Sequence, residues 1–361
     1  MATVIMVNSS LLPLLIFFIV LLQLFSSTSA VNSITIENFG AIGDGITDAG
    51  PAMLAAWSAA CTSLVPVDIL VPRKTYFLTS VVLNGPCNNS LITFQMEGST
   101  LLAPDYKDMK LSSDYWIRFN GVQGVSLIGG FLDGKGSDFW KCKASTNTAS
   151  CLPNTGASSL GFLNSKDILV QKLTSSDSKL FHLVFLSSRN VTLDHVTIKA
   201  PGDSPNTGGI HVQGSTQVLI QDTGIMTGDD CISVGPGTQD LQIMRVNCGP
   251  RHGISIGSLG KGTIEAGVEG VLVRNSTFSG STNGDSGVKV SNVTYSNIVG
   301  TSATPIAMNF NCSTTVPCEE IILEAINLNL INGQPTSFCH SAKGTVRAGV
   351  ISPTINFNTC T

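Results

Sequence analysis

The sequence predicts an all-β chain wound into a right-handed, single-stranded parallel β-helix, a solenoid closed at its N-terminal end by a capping helix. Three observations carry that prediction. Short alternating apolar runs recur past residue 120, most of them about every 22 to 30 residues, a period that belongs to solenoids. Each run is followed, after a polar kink, by a second one, as in Val191-Thr192-Leu193-Asp194-His195-Val196-Thr197-Ile198. The composition, with 36 glycines and only 12% charged residues, suits a β-rich extracellular protein better than a helical cytosolic one. A leucine-rich repeat needs a regular Leu ladder that is absent here, and a propeller needs longer blades. A β-sandwich accounts for the alternation but not for the repeat.

In chain order, residues 1–30 carry no charged side chain, and residues 11–25 form an apolar run ahead of Thr28-Ser29-Ala30. This pattern predicts a secretory signal peptide, leaving residues 31–361 as the mature domain. An uncleaved anchor is the alternative, but the run is short for a membrane span and Gln23 lies within it. No later segment is long and apolar enough to span. Next, Asp48 is placed to cap a helix with Pro51 in its first turn, running to Cys61. Such a helix covers the open first coil and blocks edge-to-edge growth. The runs that follow begin at Val125, Ile168, Val191, Val218, Leu241, Val271, Val293 and Ile321, with Gly, Asn, Ser and Asp at the corners. Residues 339–360 are expected to cap the far end.

Ten cysteines remain after residue 30, an even number that in a secreted chain implies disulfides. Their spacing favours local loops: Cys61–Cys87, Cys142–Cys151, Cys231–Cys248, Cys312–Cys318 and Cys339–Cys360. No Cys-x-x-Cys pair supports zinc. Sequons at Asn88, Asn190, Asn275, Asn292 and Asn311 agree with secretion. A net charge of −4 gives no basic field for nucleic acid, and no pattern argues for anything but a monomer.

The repeat also predicts a site. Coils of a parallel β-helix lie roughly 4.8 Å apart, so residues one period apart become neighbours. Position 208, the pair Asp229/Asp230 and His252 are each about one period apart and should form a column on one face. Two close carboxylates can divide into acid and base, as glycoside hydrolysis requires. Neighbouring strand residues point to opposite faces, so both aspartates reach one cleft only at a bend, which Gly228 makes cheap. A histidine one coil away can bond the acid and set its protonation. His182, His195, His211 and His340 are expected to be structural or at the surface.

Phe39-Gly40-Ala41-Ile42-Gly43-Asp44-Gly45-Ile46-Thr47-Asp48 resembles the N-terminal signature of plant polygalacturonases, a glycoside hydrolase family. Asn206-Thr207-Gly208, Gly228-Asp229-Asp230, His252-Gly253 and the stretch from Ser255 to Gly262 are similar to that family's ordered motifs. The resemblance covers nearly the whole mature chain. It implies a right-handed parallel β-helix and inverting hydrolysis of α-1,4-linked galacturonan in pectin, without metal or cofactor. It assigns Asp229 as general acid, Asp230 as the surviving base and His252 as their support. Asn206, Arg251 and Lys289 are the candidate substrate-binding residues.

Three departures from the family pattern stand out. Gly208 replaces the partner aspartate of the base. Arg251 replaces a small residue before His252, so it either crowds the cleft or holds a uronate. The family's Arg-Ile-Lys motif should follow Thr282-Asn283-Gly284, where this chain reads Asp285-Ser286-Gly287-Val288-Lys289-Val290-Ser291, as though a stretch had been lost. An offset reading lets Lys289 stand in for the missing arginine. The step from Val271 to Val293 is still about one period, so the solenoid is expected to stay in phase and close over the gap. Two functions remain: a secreted cell-wall hydrolase of reduced activity, and a silent β-helix that binds pectin or another wall component. A calcium-dependent lyase is disfavoured, because it wants a carboxylate cluster and an arginine base.

Overall fold

The computed structural model describes residues 31–109, 114–145, 151, 156–257, 265–281, 290–347, 349 and 351–360. The signal peptide expected over 1–30, the basic residue Lys289 and most of the glycine-rich stretch after Gly257 lie outside the described residues.

The chain is a right-handed parallel β-helix, and its strand ladders pair in parallel from coil to coil. The eight apolar seeds read from the sequence stand in one register column. Val125 pairs with Ile168, then come Val191, Val218, Leu241, Val271, Val293 and Ile321 in turn. All eight are buried, which locks the register, since a one-residue slip would turn the whole column to solvent. The polar kinks after these strands have a common geometry. Lys172, His195, Asp222, Arg245, Asn275, Asn297 and Ala325 all take φ near +50, bending the chain in a single residue between two ladders of one large parallel sheet. Only the step from Val125 to Ile168 exceeds the period, because the helix Ser137–Ala144 is inserted there.

The front face is a seven-stranded sheet. Its strands are β1 (Val81–Asn84), β2 (Tyr115–Asn120), β3 (Ser158–Leu163), β4 (Leu183–Leu186), β5 (Ile210–Gln213), β6 (Ile232–Val234) and β7 (Ile254–Ile256). Its inward row is partly aromatic: Phe119, Phe162 and Phe185 pair in register and stack, with ring centroids 4.6 and 5.6 Å apart. The core therefore gains ring–ring contact beyond burial alone.

Helix α1 (Gly50–Thr62) caps the first coil as predicted, with Ala52, Met53, Ala56, Trp57 and Ala60 buried. Trp57 donates from Nε1 to the Asn84 carbonyl at 3.0 Å and stacks on Phe94. The N-cap itself is Ala49, not Asp48. Asp48 sits one residue earlier and still serves the helix start. It accepts from the Gly50 amide at 2.9 Å and ties the turn to Thr79 through amide and hydroxyl. The second helix, α2 (Ser137–Ala144), was not expected. Phe139 and Trp140 bury its inner face in a satellite cluster with Tyr106 and Cys151. All five predicted disulfides form. At the far end Cys339–Cys360 fastens the terminal turn, and Phe357 packs on Phe310. No helix among the described residues is long and apolar enough to cross a membrane.

The back sheet stays in phase, as expected: Val268–Ser281, Val290–Ser302 and Cys318–Leu330 pair along nearly their whole lengths. On the front, the seven-stranded sheet runs through β7, and the front of the next coil falls in residues 282–289, outside the described residues. The front strands described after it, β8 (Ile306–Asn311) and β9 (Thr336–His340), pair with each other. A cavity of about 180 Å³ is bordered by Ile256, Phe278, Tyr295, Met308 and Phe310.

Candidate active site

The site grows from a bend. After the strand Gly224–Thr227 the chain leaves extended geometry over Gly228–Asp230 before entering β6. This turn lets both aspartates face the front. Glycine is required at 228: a Cβ there would strike the Ser204 carbonyl and come within 2.6 Å of its hydroxyl. The stacking follows the period. Ile210, Ile232 and Ile254 are register partners, which sets 208, 230 and 252 above one another. The Gly209 amide donates to the Asp230 carbonyl at 2.8 Å, and the Cys231 amide to the Gly253 carbonyl at 3.0 Å. The buried Cys231–Cys248 disulfide joins the carboxylate turn to the segment leading into His252.

The three predicted catalytic side chains meet. His252 Nδ1 lies 3.1 Å from Asp229 Oδ1 and 3.3 Å from Asp230 Oδ1. The Asp230 amide donates to Asp229 Oδ1 at 2.8 Å, and the Ser255 hydroxyl donates to Asp230 Oδ1 at 2.6 Å. Burial pushes the Asp230 carboxyl above its ordinary value; the Ser255 hydrogen bond opposes this, and the charge of Asp229 adds to it. One ligand atom from each of Asp229, Asp230 and His252 lies within 4.8 Å of the others. That is tighter than the roughly 6.5–9.5 Å usual between the carboxyl groups of inverting glycosidases. Spacing alone therefore does not select inversion. The same set offers two oxygens and a nitrogen to a small cation.

The break in the array has a physical occupant. Leu183 pairs with Ile210, so Phe181 stands one coil beneath Gly208. A Cβ at 208 would come within 2.5 Å of Phe181 Cε1. The ring tilts against His211 at 5.0 Å between centroids. Aromatic surface has taken the place where a third carboxylate would project. His211 in turn meets the Ser233 hydroxyl at 2.8 Å, and burial lowers its basicity.

The candidate substrate-binding residues are divided. Asn206 is exposed, and its Oδ1 accepts from Lys143 Nζ at 2.7 Å. The Arg251 side chain is exposed and donates from Nε to the Gly202 carbonyl. It leans along the rim rather than into the carboxylate pair. Lys289 lies outside the described residues. Sequence reasoning gave no role to Ser255, Phe181 or Lys143. The first two carried a signal: Ser255 shares a register row with Ser233 and His211, and Phe181 precedes Gly208 by one period. Lys143 comes from the inserted helix, outside the repeat, and no spacing marks it.

Comparison with known proteins places these features. Residues 61–285 and 285–348 match the glycosyl hydrolases family 28. The two segments meet at residue 285, where the sequence reading puts the lost stretch. The chain is 41% identical over 389 residues to a polygalacturonase of Prunus persica, covering 94% of this chain and 98% of that one. That alignment is longer than the 361-residue chain itself, so the relative carries residues with no counterpart here. An exopolygalacturonase of Platanus acerifolia is 36% identical over 370 residues, with 89% and 96% covered. Among solved structures, the endo-xylogalacturonan hydrolase from Aspergillus tubingensis superposes with a TM-score of 0.68 at 21% identity, covering 89% of this chain and 100% of that one. This last likeness is one of fold.

Proposed function

The chain belongs to the glycosyl hydrolases family 28, and on that premise we propose that it hydrolyses α-1,4-galacturonosyl linkages of polygalacturonan, with reduced turnover. The observation that carries this reading is the convergence of Asp229, Asp230 and His252 on one face. Asp229 protonates the leaving glycosidic oxygen as the bond to the anomeric carbon breaks. Asp230 takes a proton from the water that attacks that carbon. Its raised pKa makes it a stronger base than an ordinary aspartate while leaving it mostly ionised above its own pKa. His252, within reach of both carboxylates, spreads their charge and orients them. With Gly208 in place of a second base, the step is expected to be slower by roughly 10²- to 10⁴-fold, the range that general base catalysis supplies.

Secretion belongs to the same proposal: the apolar leader is removed, and the mature chain, residues 31–361, works in the cell wall as a monomer. Five disulfides support an oxidising compartment. The decisive experiment is a reducing-end assay of the mature protein on polygalacturonate beside Asp229→Asn. Release above that of the variant is expected; equal release sinks the hydrolase reading. Because the carboxylate spacing does not select inversion, the anomer released first should be followed by NMR, and inversion is the expected outcome. A second reading, a silent pectin-binding β-helix, is favoured by one observation, the Phe181 ring in the space of the missing carboxylate. Binding without any release would establish it.

A further inference from the structure

The lost Arg-x-Lys pair leaves a question of charge: a polyuronate needs cations in the cleft, and the two sequence candidates do not supply a described one aimed at it. Arg251 is held at the rim by the Gly202 carbonyl. We propose that Lys143 is the specificity-determining residue that binds a galacturonate carboxylate, a role that rests on the pectin reading above. Its side chain crosses from α2 to the site coil and donates to Asn206 Oδ1 at 2.7 Å. An ammonium group has three donors, and among the described residues this one uses a single neutral acceptor. It enters no ion pair among the described residues, whereas the acid of its own helix, Asp138, is taken by Lys141 at 2.9 Å.

The group is built in rather than free. Cys142, its neighbour, is bonded to the buried Cys151. Phe139 and Trp140 anchor the helix in the satellite core, and Lys143 Nζ lies 5.6 Å from the Phe139 ring centre. Burial weakens its hold on the proton, and the charge of Asp229 strengthens it. The ammonium is therefore half-desolvated, faces the acid pair's field and has donors to spare, which is the state in which a charge-assisted bond to a carboxylate counts most.

Position also gives the proposal content. Asn206 precedes Gly208 and lies on the N-terminal side of the 208–230–252 column. The missing basic pair would have followed His252, on the C-terminal side. Lys143 thus anchors the polymer across the scissile position from where the family motif holds it.

The test uses trigalacturonate and its fully methyl-esterified counterpart, titrated calorimetrically into the Asp229→Asn protein, which cannot consume them. Lys143→Met, which keeps the stem but not the charge, should weaken trigalacturonate binding roughly 10- to 100-fold, the worth of one hydrogen bond to a charged group. It should leave the ester nearly unchanged. Lys143→Arg should restore most of the affinity, which also excludes misfolding as the cause. Equal weakening of both ligands, or no weakening, overturns the role of Lys143 while leaving the pectin reading intact. If the Asp229→Asn protein binds neither ligand, the pectin reading itself is overturned and this inference with it.

Discussion

Restoring the missing carboxylate is the sharpest test of how this site is built. In Gly208→Asp the new Cβ would come within 2.5 Å of Phe181 Cε1, where carbon atoms rest at about 3.5–4.0 Å. The ring must retreat by about 1 Å or more, and it is backed by His211 at 5.0 Å. Overpacking of this kind costs about 1–3 kcal/mol. The single variant should therefore melt lower and gain no activity. Phe181→Ala removes the obstacle at the loss of one ring contact, about 0.5–1.5 kcal/mol. The double variant should recover most of the stability lost by Gly208→Asp. It should also gain turnover on the order of 10²-fold, the lower end for a general base, because the lost basic pair stays lost. The assay is initial reducing-end release from polygalacturonate, with thermal melts of all four members of the cycle. Gly208→Asp gaining activity at full stability would refute the steric argument. A folded but silent double variant would refute the assignment of a base to position 208.

Other outcomes follow from the same geometry. Ser255→Ala removes the hydrogen bond that holds the Asp230 carboxyl down, so the acidic limb of the activity profile should move to higher pH. Asp230→Asn should raise the melting temperature near neutrality. A carboxyl whose folded pKa is raised costs stability when ionised, so the gain should fade as pH falls towards the ordinary carboxylate value, below which Asp230 is protonated in both states. His182 is fully buried, with Nδ1 2.8 Å from the Ser175 hydroxyl, and burial holds its pKa at about 3. The unfolded chain takes up that proton below about 6.5 and the folded one does not, so stability is lost as pH falls through that window. At pH 4.5 the loss should be about 2–3 kcal/mol, and the pH dependence of His182→Leu in denaturant titrations should be shallower by that amount. Replacing Cys142 and Cys151 by serine should weaken trigalacturonate binding more than it lowers the melting temperature, since α2 lies outside the main core.

The period made most of the fold legible. Val125 to Ile321 could be aligned from sequence because buried β-branched and leucine side chains at a fixed interval have only one way to stack. The same interval brought Asp229, Asp230 and His252 together before any distance was measured. It failed where the chain leaves the repeat. Helix α2 is an insertion whose residues answer to a satellite cluster, so Lys143 gave no sign of reaching Asn206. The capping residue of α1 was misplaced by one position because Asp48 serves the helix start and Thr79 together. Phe181 was legible in principle, one period before Gly208, but an aromatic residue in that place reads as core until its ring is seen at the cleft. The phase across the lost stretch was legible from the step between Val271 and Val293, which pair in the back sheet; the front of that coil, residues 282–289, lies outside the described residues.

The unbroken back ladder has a bearing on how the molecule comes apart. From Val125 to Ile321 each coil is bonded in register to the next, so opening one coil strips partners from the strands on either side. A coil at the end of such an array has one neighbour to hold it instead of two, and opens at lower cost. Amide exchange should therefore be slowest in the middle coils, around Val218 and Leu241, and rise towards both ends.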